Sequence, residues 1–229
     1  MSVITISREF GSEGDTIAQQ VAQVLDHHLV DQKFIGIILG QYGYVEFDQE
    51  FASLPTFWER FDAQREKQRD VMVEMLNRVV RAVARHGNVV LLGRSGFEVL
   101  GGFADVLHVR LQAPFPVRVQ RVMAQQLVPF DQAEAFVKQN DKVRRSFVEE
   151  FYKVPWDSMQ AFDLVINTGK ISPNLATDMI IHAARTFEPK LEPEKPLLAA
   201  IEVDRILAET VSEVLHCQKT HIEKIGEMG

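Results

Sequence analysis

Cysteine is nearly absent from this chain: Cys217 stands alone among 229 residues, which excludes an intrachain disulfide framework. Excess positive charge is absent as well. The net charge of −7 and pI near 5.5 argue against a broad surface for nucleic acid or anionic membrane, although a local arginine cluster still suits a small anion. No apolar run approaches the length that spans a bilayer, and the amino terminus has neither a basic stretch nor a long apolar one. A cytoplasmic location is the resulting expectation. There is no internal repeat or low-complexity tract. What is present, 46% hydrophobic and 25% charged residues, suffices for one full core carrying insertions, or for one domain plus an appendage.

The most informative absence lies in the opening stretch, MSVITISREFGSEGDTIA. Val3 to Ile6 is a short β-branched run, and Ile17, Val21, Val24 and Leu25 recur at helical spacing, so a glycine-containing loop joins a strand to a helix. In a phosphate-binding loop, glycine lets the backbone approach an anion while free N–H groups at the helix start point at it. Gly11, Ser12, Gly14 and Thr16 fit that role. Against the pattern G-x-x-x-x-G-K-[ST], however, Arg8 takes the first glycine, Glu13 the last, and Gly14 the lysine. The phosphate-reaching lysine is missing, and Glu13 and Asp15 bring negative charge that Arg8 or a distant arginine must offset. Read from the loop alone, a nucleotide site and a turn before a buried helix both remain open.

Further along, His27 to Val30 followed by Asp31 reads as a brief second strand ending in an acid. Residues 32 to 86 read as mostly helical, with the aromatic and charged stretch 41 to 70 either a substrate-covering element or a hairpin that packs Phe47, Phe51, Phe57, Trp58 and Phe61 inward. Val89 to Leu92 is a continuous apolar run suited to a central parallel strand, and Gly93-Arg94 follows at its carboxyl end, where α/β sheets bind ligands. Arg94 is therefore a candidate for bidentate phosphate binding, with a surface arginine as the alternative. Residues 105 to 111 form another strand, and the helix over 116 to 127 carries Arg118 and Arg121 on one face. A charged helix over 131 to 152 holds Arg144 and Arg145, as a solvated surface or as a lid over phosphates. A strand at 162 to 166 and a helix at 174 to 187 follow. The alternation predicts a doubly wound parallel sheet in an α/β fold.

Residues 188 to 196, EPKLEPEKP, read as a linker, and residues 204 to about 224 as an amphipathic helix. Its stripe of Leu207, Val211, Val214 and Leu215 must be covered by its own domain or by a second copy, and a homodimer through this helix is the favoured expectation. His216, Cys217 and His221 lie there too, and suit packing or solvent better than a metal.

Taken together, ITISREFGSEG, VVLLGRSGFEVL, LHVRLQAPFPVRVQRVM, NDKVRRSFVEEFYKVPW and FDLVINTGKI resemble the cytidylate kinase-like family, a branch of the P-loop nucleoside monophosphate kinases, over residues 1 to 187. The resemblance implies a five-stranded parallel sheet with helices on both faces, a helical monophosphate-binding insert around 32 to 86 and a lid around 128 to 155. It implies phosphoryl transfer from ATP to CMP or a related acceptor. Gly11, Ser12, Gly14 and Thr16 would hold the donor phosphates and Mg²⁺, with Thr16 the metal-side hydroxyl. Arg94 would face the acceptor, Arg118 and Arg121 would lie near the donor, and Arg144 or Arg145 would close from the lid. From its own position, at the strand end and as the only cation inside the loop, Arg8 is expected to replace the lysine in part, the alternative being that it only pairs with Glu9, Glu13 or Asp15. The chain departs from the family pattern in that missing lysine, in Glu13, and in Ser95, where cytidylate kinases have Asp after Gly-Arg. These departures keep open a second class: a kinase-fold protein that is catalytically weak or inactive and serves nucleotide binding or regulation.

Overall fold

In the computed structural model, which describes residues 2–44, 63–188 and 195–226, five parallel strands run in the order β2-β3-β1-β4-β5. They are β1 (Val3–Arg8), β2 (His28–Val30), β3 (Val89–Leu92), β4 (Val106–Gln112) and β5 (Leu164–Asn167). Side chains alternate across the pleat. Val3, Val89, Leu91 and Val106 enter a core on one face, while Ile4, Ile6, Val90, Leu92, Leu107, Val109 and Leu111 enter a core on the other. Both faces are apolar because both are covered, which explains why β3 reads as an unbroken hydrophobic run. The predicted doubly wound sheet is the one found, its strands within two residues of those expected.

Helices α1 (Gly14–Leu25) and α7 (Pro173–Thr186) cover the second face. Helices α2 (Gln32–Gln41), α3 (Ala63–His86) and α8 (Arg205–Gly226) cover the first. Local signals place their starts: Asp31 accepts from Phe34 N–H at 2.9 Å, and Ser172, before Pro173 at the first helical position, accepts from Leu175 N–H at 3.3 Å. Residues 45–62, with the aromatics expected to pack or cover the site, lie outside the described residues, as do 189–194 of the linker.

The chain leaves β1 toward β2 on one side and crosses from β3 to β4 on the other, so the carboxyl ends of β1 and β3 flank the crevice. Helix α4 (Gly96–Val99) follows β3 there, and α5 (Phe115–Gln126) follows β4. Helix α6 (Phe130–Tyr152) extends from α5 across the crevice mouth. It is better anchored than its charge suggested. Ala133 and Val137 pack with Val119 and Val122 of α5, and Val148 packs with Phe97 and Trp156.

The sequence left open whether its own domain or a second copy covers the stripe of the carboxyl-terminal helix. The stripe of α8 faces its own chain: Leu207, Val211 and Leu215 are buried, Val214 packs beside them, and α2, α3 and β2 cover them. Among the described residues, the stripe expected to pair with a twin helix is covered by its own chain. Asp204 starts this helix by accepting from Leu207 N–H at 3.1 Å, and Asp105 holds the returning chain by accepting from Leu198 N–H at 2.8 Å. Among the described residues no group of three or more His, Cys, Asp or Glu is placed to hold a metal ion, and no helix is long and apolar enough to cross a membrane.

Candidate active site

The loop between β1 and α1 is held from behind. Arg118 Nη1 donates to Phe10 O at 3.1 Å, Arg121 Nη1 to Gly11 O at 3.4 Å, and Thr168 Oγ1 to Ser12 O at 3.0 Å. With three successive carbonyls tied outward, the planar trans peptides turn the N–H groups of Gly11 and Glu13 the opposite way, while Ser12 N–H closes a turn on Glu9 O at 3.3 Å. Gly11 has φ +78°, and a Cβ there would lie 2.9 Å from Arg118 O, so the close approach of α5 admits only glycine. Glu13, also at positive φ, sits where the family pattern has glycine, and accepts from Gln125 Nε2 at 3.0 Å. Helix α1 then starts with Gly14, and Thr16 is exposed in its first turn.

Arg118 and Arg121, expected at the donor phosphates, spend their donors on this scaffold. Arg118 also bonds Ala113 O at 3.0 Å and pairs with Glu9 and Asp141, and Arg121 Nη2 bonds Thr168 O at 2.7 Å while facing Glu13. They shape the loop instead of facing its concave side. Asp141 of α6 accepts from Phe10 N–H at 2.9 Å and so ties this helix to the loop.

Three other arginines converge on a cavity of about 240 Å³ at the carboxyl ends of β1 and β3. Arg8, Arg94 and Arg144 line it together with Thr5, Ser7, Gln32, Ser95 and Asn140, while Phe97, Phe147 and Trp156 supply aromatic walls. No carboxylate lines it among the described residues. Burial, and then repulsion by Arg8 and Arg94, pulls the Arg144 guanidinium down to about 10, against partial support from Asp141 and Asp15. It stays charged at neutral pH, and its proximity to two like charges calls for an anion. Arg144 Nη1 is buried with no protein partner, and the guanidinium lies 5.4 Å over the Phe10 ring. Of the two neighbouring arginines on α6, Arg144 lines the cavity. Arg145 is half exposed, 3.9 Å from Asp157 and over the outer side of Trp156.

The backbone bends sharply to present Arg94. Gly93, Arg94 and Ser95 have φ of +77°, +52° and +53°, three left-handed residues in succession, and only the first is glycine. Gly93 N–H bonds Ile6 O at 2.9 Å, and Ser95 O accepts from Glu98 and Val99 as α4 begins. Two non-glycine residues in this region store strain of about 1–2 kcal/mol each, of the kind that gathers at functional sites.

Sequence reading missed Arg110. It is 1% exposed in the middle of β4, with Nη1 donating to Trp156 O at 2.7 Å and its plane 4.7 Å from the Trp156 ring. It props the residue that walls the cavity. The signal was available: His108 and Arg110 alternate in a strand whose other central residues are apolar, so both point to one face.

A parallel sheet with this strand order, a glycine-bearing loop after the central strand and a cationic crevice beside it define a P-loop kinase type of α/β protein. The cytidylate kinase-like family model matches residues 3–170, and the chain belongs to that family. Curated relatives include a cytidylate kinase of Methanopyrus kandleri, 28% identical over 202 residues and covering 85% of this chain and 97% of its own. Another, from Haloarcula marismortui, is 23% identical over 189 residues, covering 82% and 91%. An uncharacterized protein from Eubacterium ventriosum has a solved structure of the same fold, with TM-score 0.63 and 21% identity, covering 82% of this chain and 100% of that one.

Proposed function

We propose that the protein transfers the γ-phosphate of ATP to CMP or a closely related nucleoside monophosphate in the cytoplasm. The observation that carries this reading is the convergence of Arg8, Arg94 and Arg144 on a cavity that no carboxylate lines among the described residues, beside a loop whose Gly11 and Glu13 N–H groups turn away from its tied carbonyls. Phosphoryl transfer demands in-line positioning and neutralisation of negative charge, and such a cluster supplies both. An acceptor phosphate oxygen forms the new P–O bond as the bond from the γ-phosphorus to the bridging oxygen breaks, and the electron pair leaves with ADP. The acceptor phosphate lies against Arg94 and Arg144. The donor phosphates lie in the loop of Gly11, Ser12 and Gly14, whose shape Arg118 and Arg121 maintain, and Arg145 stays outside. Mg²⁺ needs few protein ligands when phosphates supply the rest, and the exposed Thr16 hydroxyl would hold it. The bound ion would offset phosphate charge.

Coupled ADP detection across a panel of nucleoside monophosphates tests this, with turnover above the ATPase background expected for a pyrimidine acceptor. No acceptor-dependent ADP from any of them would reject the reading. One observation favours the alternative of a weak or inactive kinase-fold protein: Glu9, Glu13, Asp15 and Asp141 already engage the loop's arginines. A thermal shift with Mg-ATP but no transfer would select it. Ligand at a hundredfold its dissociation constant adds about 2.7 kcal/mol, enough to be seen.

A further inference from the structure

We propose that Arg8 and Gly14 have exchanged places as cation and spacer: Arg8, rooted at the end of β1, delivers to the transferred phosphoryl group the positive charge that the loop pattern assigns to position 14. The inference rests on the phosphotransfer reading and goes beyond it by assigning one residue to the moving group. A Cβ on Gly14 would lie 2.6 Å from Arg8 Cγ and 2.7 Å from Arg8 Cβ, so the stem of Arg8 fills the volume that any side chain at position 14 would need. At its far end, a Cβ on Gly93 would collide with Arg8 Nη1. The side chain thus threads a slot that two glycines hold open, one at the start of α1 and one in the turn after β3. The first belongs to the donor loop and the second carries Arg94, so the guanidinium sits between the two phosphates that must meet.

Its bonding state fits this task. Among the described residues Nε is buried with no protein partner, and the ion pair of the group, Nη2 to Asp15 Oδ1 at 2.9 Å, joins a side chain 17% exposed to one 76% exposed. So exposed a partner contributes little and yields readily to a phosphate. Arginine remains protonated throughout, so it stabilises charge and moves no proton. Its planar fork also bridges oxygens on two phosphorus centres, which an ammonium does less well.

The test transplants the cation. In the full chain, Arg8→Gly, Arg8→Gln, Gly14→Lys and the double variant Arg8→Gly/Gly14→Lys are assayed for transfer from Mg-ATP, with acceptor affinity measured separately by calorimetry and folding by thermal melts. Arg8→Gly and Arg8→Gln should lower kcat about 100-fold or more and leave acceptor affinity within a few-fold. Gly14→Lys alone should be unstable or inactive, because two long cations compete for one slot. The double variant should regain at least about tenfold over Arg8→Gly, a rescue that a purely structural role of Arg8 cannot give. Wild-type kcat in a folded Arg8→Gln protein, or a folded double variant no faster than Arg8→Gly, overturns the exchange and leaves the phosphotransfer reading standing. Absence of transfer by the unmodified chain removes both.

Discussion

Arg94 sets, at a single residue, a strained backbone against a place in the lining of the crevice. Its left-handed conformation is unfavourable for any residue with a Cβ, yet it aims the guanidinium into the crevice. Arg94→Gly should therefore raise the stability of the free protein by about 1 kcal/mol in urea titration while raising the acceptor KM at least about tenfold. A variant with unchanged KM would show that the turn serves the fold alone. His108 is the converse, a titratable group kept neutral by the core. Its Nδ1 bonds Thr5 Oγ1 at 2.7 Å across the β1–β4 register, and burial lowers its pKa from 6.5 to about 4, outweighing the attraction of Asp163. The unfolded chain then binds the proton more tightly, so stability rises with pH between about 4 and 6.5. Below that window His108 costs about 3 kcal/mol, and above it nothing. His108→Gln should flatten this part of the stability profile in urea titrations at pH 4.5 and 7, and an unaltered slope would clear His108 of responsibility.

Among the elements, α6 bears on both the fold and the reaction. Asp141 connects it to the β1–α1 loop by accepting from Phe10 N–H and pairing with Arg118, while Arg69 of α3 reaches Glu150 at 3.1 Å and Asn77 accepts from the Tyr152 hydroxyl at 2.7 Å. Helix α6 is thus fastened to the loop near its middle and to α3 at its carboxyl end. Asp141→Ala should cost about 2 kcal/mol, because Arg118 stays buried after losing a partner. It should also speed amide exchange over 136–145, and nucleotide should slow exchange there in the unmodified chain. Equal exchange with and without saturating Mg-ATP would remove α6 from the role of lid. The elements themselves were legible in the sequence wherever one force dominated: β3 because burial on both faces leaves only apolar residues, and α1 because its stripe meets a covered sheet. The carboxyl end of α6 was not legible. Phe147, Phe151 and Tyr152 pack against a core assembled from α2, α3 and α8, and no periodicity within α6 reveals neighbours so distant in sequence. The site was legible in part for the same reason. Arg8 and Arg94 follow local strand-and-loop patterns, whereas the separation of Arg144 from Arg145, and the turning of Arg118 and Arg121 to the back of the loop, are decided by tertiary packing.

For the molecule as a whole, the question is what α8 does, and its placement changes the answer the sequence favoured. Amphipathicity shows that a stripe must be covered and says nothing of which surface covers it. Here Leu207, Val211 and Leu215 join Val79, Val80 and Val83 in the core that backs β3. Burying three such side chains contributes roughly 5–9 kcal/mol as an upper estimate, comparable with the whole stability of a domain. Removing residues 197–229 should accordingly leave a protein that aggregates or melts far lower than the full chain, even though the sheet and its loop lie upstream. Val211→Asp is the gentler probe and should cost at least about 3 kcal/mol. Covering within one chain and covering by a partner differ in concentration dependence. A seam between copies makes the unfolding midpoint rise with protein concentration, while an intramolecular seam does not. Urea midpoints of the full chain should therefore coincide over a hundredfold range of concentration, with Val211→Asp shifted equally at each. A soluble, folded truncation with the parent's midpoint would show that α8 contributes nothing to its own core, and a midpoint climbing with concentration would return this helix to an interface between subunits.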